Sequence, residues 1–427
     1  MNPSFWYAVQ YQVEAQCLSP LRTGGADQDT ETVLTGPDGV HFLQGSSLAG
    51  AFRDWVTGCR GPEIAEALFG SNQAEGSLVI SDGRFEPRTA VQQRPRLRMD
   101  RVCGTADKGG KFDLAQVAAG SRFCFEVVWQ GTDPCPEQQQ AVKAMLEAMN
   151  SGEIRLGAQK SNGLGRIQLT VRQKSFNMHQ EADRTAWLEE TGADSLLPLE
   201  AAAPVRTVFV LEGKVDGLLV KASAAQAKGE EKGSYTPNLK ENGVPVLPGS
   251  SIKGAVHSWA ERIAKSSGLP ESVTDKLTDK LFGCSAGTGQ ERLAGRVRVE
   301  DLQLNQAQKC QISRIRINRF TGGVIRQGLM TEEPLSTPVR LELSVTQPTG
   351  LEGALLVYAL RDLGLGLYSL GSGWAIGRGV MQADRLTVCQ PDGTKAVLFF
   401  QEGRANRLED PDGLMAGWMK VWKENRV

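Results

Sequence analysis

Apolar and polar residues alternate from Tyr7 to Cys17 and again from Val208 to Val220, the period-two pattern of strands with one buried face. After each stretch comes a long polar loop and then a change of period. Leu48, Phe52 and Trp55 fall on one stripe of a helix, as do Ile252, Val256, Trp259 and Ile263. Further alternating segments predict strands at Ser77 to Phe85 and Phe123 to Trp129, then at Arg296 to Leu302 and Val339 to Val345. Helices are expected over Glu137 to Asn150 and Gly353 to Leu363, each followed by a glycine-rich turn and a final strand. Strand, helix, strands, helix, strand is a ferredoxin-like α+β order, and it occurs twice. The polar segment from about Arg172 to Pro204 reads as the junction, giving domains of 1–200 and 205–427. A terminal helix carrying Trp418 and Trp422 is expected to pack back on the second.

The duplication is visible in the residues themselves. Phe42-Leu-Gln-Gly-Ser-Ser-Leu-Ala-Gly-Ala returns as Val246-Leu-Pro-Gly-Ser-Ser-Ile-Lys-Gly-Ala, an offset of 204 (246 − 42). Leu68-Phe69-Gly70 returns at Leu281-Phe282-Gly283, and Asp100-Arg101 with Gly104 at Asn318-Arg319 with Gly322. Arg122-Phe-Cys-Phe-Glu corresponds to Arg340-Leu-Glu-Leu-Ser, and Leu156-Gly157 with Gly163 and Gly165 to Leu370-Gly371 with Gly377 and Gly379. Five landmarks in one order with slowly drifting offsets are what duplication followed by loop insertion leaves.

Composition narrows the function. With 48 basic and 49 acidic residues the chain has no global attraction to nucleic acid, so any such binding rests on local clustering. No apolar run is long enough to span a bilayer, and Met1 to Tyr11 lacks a secretory pattern; a cytoplasmic protein without membrane partners is expected. The eight cysteines are scattered without a C-x-x-C pair, so no structural zinc is expected and reduced thiols are the simplest account.

Three kinds of local chemistry recur. A Gly-Ser-Ser helix start combines free N–H groups, a positive dipole end and hydroxyls, which suits a phosphate. It contributes Ser46 and Ser47 with Arg53, and Ser250 and Ser251 with Lys253 and His257; the plainer alternative is a simple helix cap. The glycine-rich loops bring Lys160, Gly163 and Arg166 in the first copy and Arg378 in the second, where glycine permits close backbone approach to a ligand. A tight hairpin is the alternative there, and neither loop fits a nucleoside-triphosphate motif. Finally Lys309, Arg314, Arg316, Arg319 and Arg326 sit in a stretch free of acids, matched in the first copy by Arg84, Arg88, Arg94, Arg96, Arg98 and Arg101, diluted there by Glu86 and Asp100; a solvated face competes with a groove that tracks a nucleic-acid backbone.

With these motifs in view, the chain resembles the RAMP superfamily, specifically the repeated backbone subunits of type III CRISPR effector complexes, and the tandem fusion looks like those of the III-D branch. The resemblance rests on Leu247-Pro-Gly-Ser-Ser-Ile-Lys-Gly-Ala255, Leu281-Phe-Gly, Ile317-Asn-Arg-Phe-Thr-Gly-Gly323 and the loop at 370–379. The first copy is more divergent, with Gln44 for Pro, Ala49 for Lys and Val102-Cys103-Gly104 at the third motif. The resemblance implies two tandem ferredoxin-like (RRM-like) domains, the basic stretches becoming thumb hairpins. It implies guide RNA, complementary target RNA, and other RAMP-type and small subunits as partners. It also implies Mg²⁺-dependent cutting of target RNA at an aspartate about sixteen residues ahead of the Gly-Ser-Ser glycine. Here that is Asp29, with Asp27 and Glu31 as fallbacks, Asp29 being also the metal ligand expected; an acidic surface loop is the alternative. The second copy has no aspartate at the matching position. An inactive scaffold remains the alternative to a nuclease, and a histidine-based guide-processing enzyme is disfavoured because His41 and His179 lie outside the repeated motifs, while His257, on the repeated helix in place of Arg, reads as a contact and not a base.

Overall fold

The computed structural model describes residues 5–24, 33–100, 105–201, 204–222, 234–284 and 293–425. These fall into two compact units, one of Met1–Arg94, Asp113–Lys160 and Leu164–Ala203, the other of Pro95–Phe112, Ser161–Gly163 and Pro204–Val427. Each unit contains one seven-stranded sheet and its own apolar core.

In the first unit the strand Tyr7–Cys17 lies centrally, antiparallel to both Arg122–Gly131 and Ile167–Asn177. Leu78–Ile80 and Gly83–Phe85 pair on the far side of Arg122–Gly131. Numbering the four principal strands in chain order, the sheet runs fourth, first, third, second, the ferredoxin-like arrangement. The second unit repeats it with Arg206–Leu218 at the centre, between Leu335–Thr346 and Val380–Cys389, and with Arg298–Val299 beyond Leu335–Thr346. The α+β fold of two tandem ferredoxin-like domains is thus the one the sequence predicts.

Helices cover one face of each sheet because their apolar stripes have nowhere else to be buried. Gly45–Arg60 buries Leu48, Phe52 and Val56, and Gly249–Ser266 buries Ile252, Val256, Ala260 and Ala264. The second helices, Pro136–Ser151 and Gly350–Gly364, bury Met145, Leu146 and Met149 and nearly all of Ala354 to Leu363 respectively. Each repeat carries a two-stranded hairpin, Val91–Met99 with Ala106–Val117 in the first and the antiparallel Ile312–Ile317 with Val324–Glu332 in the second.

Three elements differ from expectation. Arg172 to Asn177 belongs to the last strand of the first sheet, and a helix, Glu181–Leu188, follows, so the polar stretch is partly regular structure. The strand foreseen over Ser77 to Phe85 breaks at Ser81 and Asp82, and Arg296 to Leu302 breaks likewise. The C-terminal segment adds more than a helix: Lys395–Gln401 and Arg404–Glu409 extend the second sheet before Leu414–Glu424 buries Met415, Trp418 and Trp422. A Cβ at Gly353 would lie 2.4 Å from the Trp418 ring, so that glycine is what lets the indole lie flat on the helix.

Candidate nucleic-acid interface

The breaks at Ser81-Asp82 and Glu300-Asp301 have a common cause. The Asp82 carboxylate accepts a hydrogen bond from the Gly45 N–H at 2.7 Å, and Asp301 accepts from Gly249 N–H at 2.7 Å. In both repeats the first turn of the Gly-Ser-Ser helix is therefore capped by a carboxylate from the preceding strand's neighbour, a contact worth about 1 kcal/mol to a helix. The glycine itself is needed for space: a Cβ at Gly45 would lie 2.6 Å from the Ile80 carbonyl, and at Gly249 2.4 Å from that of Val299. The capping aspartates are invisible to local reading because they come 37 and 52 residues after the glycines they hold. Their signal was present, since both lie at the same break in the repeat.

The serines stay outside this arrangement. Ser46, Ser47 and Arg53 are exposed, and Ser46 and Arg53 share the walls of an open cleft of about 420 Å³ with Ala49, Phe69 and Ile80. In the second repeat Ser251 is exposed, while Ser250 is half-buried and its hydroxyl accepts from Arg96, a residue of the same compact unit. His257 stacks on Phe282 with ring centroids 4.4 Å apart and 7° between planes, so the Leu-Phe-Gly motif supplies a platform for the helix side chain. Lys253 lies deeper than a polar-face position would place it. It is 8% exposed, and loss of hydration lowers its ammonium from 10.5 to about 8.

The glycine-rich loops superimpose in pattern. Gly157, Gly163 and Gly165 have φ of 72°, 89° and 78°, and Gly371, Gly377 and Gly379 have 76°, 76° and 69°. A one-turn 3₁₀ helix sits in the middle of each, Lys160–Asn162 and Trp374–Ile376. Positive φ is open to glycine at no steric cost, and a Cβ at Gly379 would lie 1.8 Å from the Leu370 carbonyl. Lys160 and Arg166 are exposed in the first loop, with Gly163 buried. Arg378 is not at the surface: its guanidinium is 8% exposed and Nη1 meets Glu332 Oε2 at 2.5 Å. Arg314 Nη2 meets the same oxygen at 2.6 Å, so Glu332 ties the loop to both strands of the hairpin.

At the hairpin tip Asn318 Oδ1 accepts from the Phe320 and Thr321 N–H groups, a side-chain-capped turn that leaves Phe320 wholly exposed. Arg316, Arg319 and Arg326 are exposed beside Ile315, Ile317, Val324 and Leu329, which are also open to solvent. Neither Glu332 nor Trp374 was singled out by the sequence. The first acts across 46 residues, and the second lies in a loop where cations drew attention.

Asp27, Asp29, Glu31 and Arg101 lie outside the described residues. The ends of the acidic loop are described: Thr23 and Val33 are buried, and Thr23 Oγ1 accepts from Leu34 N–H at 3.3 Å. The Arg22 carbonyl accepts from Ala158 N–H at 3.1 Å, so the root of that loop adjoins the first glycine-rich loop. Among the described residues no group of three or more His, Cys, Asp or Glu is placed to hold a metal, and no helix is long and apolar enough to cross a membrane.

A family model described as the RAMP superfamily matches this chain twice, over residues 14–168 and 228–382. A chain in the cryo-EM structure of the Type III-B Cmr-beta bound to cognate target RNA is similar at 16% identity and a TM-score of 0.32. That likeness covers 40% of this chain and 61% of the other, so the chain spans less than two thirds of the structure it matches. No curated protein matches it.

Proposed function

The chain belongs to the RAMP superfamily, and from that premise we propose that it is a guide-RNA-binding backbone subunit of a type III CRISPR ribonucleoprotein that cuts guide-paired target RNA in its first module. The observation that carries the reading is the doubled set of polar features on one scaffold. Each repeat has an exposed serine at its helix start, a preorganised glycine-rich loop and a hairpin bearing arginines, although Arg94 and Arg96 of the first hairpin are buried. Backbone amides, hydroxyls and cations of this kind hold ribose-phosphate without reading bases, which suffices where guide pairing supplies the sequence choice.

Ser46, Ser47, Arg53, Lys160 and Arg166 are the phosphate contacts assigned to the first repeat, and Ser251, Arg316, Arg319 and Arg326 those of the second. Ser250, Lys253 and His257 line the second helix start from a less open position, and Arg314 and Arg378 act by fixing the hairpin and loop through Glu332. Arg101 is retained by its place in the repeat.

Cleavage is assigned to Asp29, with Asp27 and Glu31 beside it in sequence. Their hard carboxylate oxygens are the donor type Mg²⁺ prefers, and the ion when bound would polarise a phosphate oxygen. The loop root beside Gly157 and Lys160 supports this, because it brings the acidic segment next to a backbone-binding turn.

The test is to purify the assembled particle, measure its 260/280 nm absorbance ratio, and add labelled complementary RNA with Mg²⁺ or chelator. Retained RNA and Mg²⁺-dependent cutting by the parent are expected, with Asp29→Ala binding the target but leaving it intact. Unchanged cutting by the variant removes Asp29 from the site. Bound but uncut target with the parent leaves a scaffold, and absence of RNA refutes the reading altogether.

A further inference from the structure

All eight tryptophans are among the described residues, and only Trp374 is exposed, at 66%. A solvent-facing tryptophan on a rigid turn leaves a large, flat ring open to a ligand. The turn is rigid. Leu370 N–H donates to the Gly379 carbonyl at 2.9 Å, Ser372 N–H to Leu219 at 2.8 Å and Ile376 N–H to Gly373 at 3.0 Å. Arg378 fills the space under Gly373 and is locked by Glu332. The indole is thus held out on a preorganised mount, so ordering it on binding costs little.

The equivalent loop of the first repeat places Lys160 where this one places Trp374, 214 residues apart (374 − 160), on the same 3₁₀ turn between the same left-handed glycines. One backbone device therefore presents an ammonium in one copy and an aromatic plane in the other. An ammonium recognises phosphate, whereas an indole recognises a flat π-face. The charge nearby selects between a base and an apolar protein surface. Glu332 joins this loop to a hairpin whose exposed charged residues between Cys310 and Thr331 are all basic, Arg316, Arg319 and Arg326. Aromatic planes interleaved with cations suit single-stranded nucleic acid.

We propose that Trp374 is a base-stacking platform for single-stranded RNA, so that the two glycine-rich loops divide the work, the first holding phosphate through Lys160 and the second holding a base. This rests on the RNA-binding reading above. It is tested with the full-length chain and 5′-fluorescein-labelled oligouridine and oligoadenosine, by fluorescence anisotropy over a salt series. Trp374→Ala and Trp374→Leu should weaken both oligonucleotides about tenfold, within the roughly 5- to 150-fold that base–aromatic stacking spans, while Trp374→Tyr stays near the parent. The slope of log affinity against log salt should not change, since no counterion release is lost. Circular dichroism should show all three variants folded as the parent is. Parent-like affinity of the leucine variant, or no loss with alanine, overturns the stacking role. So does a variant that binds RNA normally but loses a protein subunit on co-purification. If the parent binds neither oligonucleotide, the RNA-binding reading fails as well; if it binds and the variants match it, only the stacking role fails.

Discussion

Replacing Glu332 by glutamine removes a buried carboxylate that faces two guanidinium groups. The Glu332 side chain is 4% exposed, with Arg378 Nη1 at 2.5 Å and Arg314 Nη2 at 2.6 Å; Arg378 is 8% exposed and Arg314 35%. Glutamine keeps the volume and one acceptor but leaves the Arg378 charge buried without compensation. Deleting one partner of a buried pair costs roughly 3–5 kcal/mol. Because water reaches Arg314, the lower end applies, about 3 kcal/mol. At ~2–4 °C per kcal/mol for a domain of this size, the transition of the second unit should fall by about 6–12 °C. Arg378→Met should cost less, since Glu332 keeps Arg314, and the double variant should sit close to Arg378→Met and above Glu332→Gln. Differential scanning calorimetry of the full chain measures the order. A Glu332→Gln transition within about 2 °C of the parent, or a double variant no better than Glu332→Gln, refutes the argument that this carboxylate neutralises a buried charge.

Two further outcomes follow from the same physical terms. Lys253 has a folded-state value of about 8 against 10.5 unfolded, so its burial penalty is fully present below pH 8 and disappears as pH rises toward 10.5. Lys253→Met should therefore be more stable than the parent at pH 7, by on the order of 3 kcal/mol, with the gap closing at high pH. A gap in urea denaturation that stays constant from pH 7 to 10 contradicts the desolvation account. In RNA binding, the combined Arg316, Arg319 and Arg326 alanine variant should flatten the log affinity versus log salt slope by about 2, from ~0.7 per single-stranded phosphate contact; an unchanged slope places these cations away from the phosphates.

How far the sequence reached depends on the distance over which each feature is determined. Alternation alone gave Tyr7–Cys17 with its observed bounds, because a strand with one buried face writes its own period. The repeated Gly-Ser-Ser and Leu-Phe-Gly motifs gave the duplication and the helix starts. What stayed hidden depends on partners far along the chain: Asp82 and Asp301 on the helix starts, and Glu332 on Arg378. Arg378 and Lys253 read as surface cations because residue type predicts exposure, and only the fold shows a carboxylate beside one and the burial of the other. Trp374 escaped notice for the converse reason, since a tryptophan is read as core until its loop is seen to hold it outward.

The outermost strand of the second sheet, Arg404–Glu409, reads Arg-Ala-Asn-Arg-Leu-Glu and is exposed along nearly its whole length. An open edge of unpaired N–H and C=O groups invites another chain to add a strand, and charges on that edge discourage it. The first sheet ends instead in Ser195–Leu196, too short to template anything. Strand addition is thereby discouraged at both of these borders, so neither offers a second chain a long, uncharged edge to pair with.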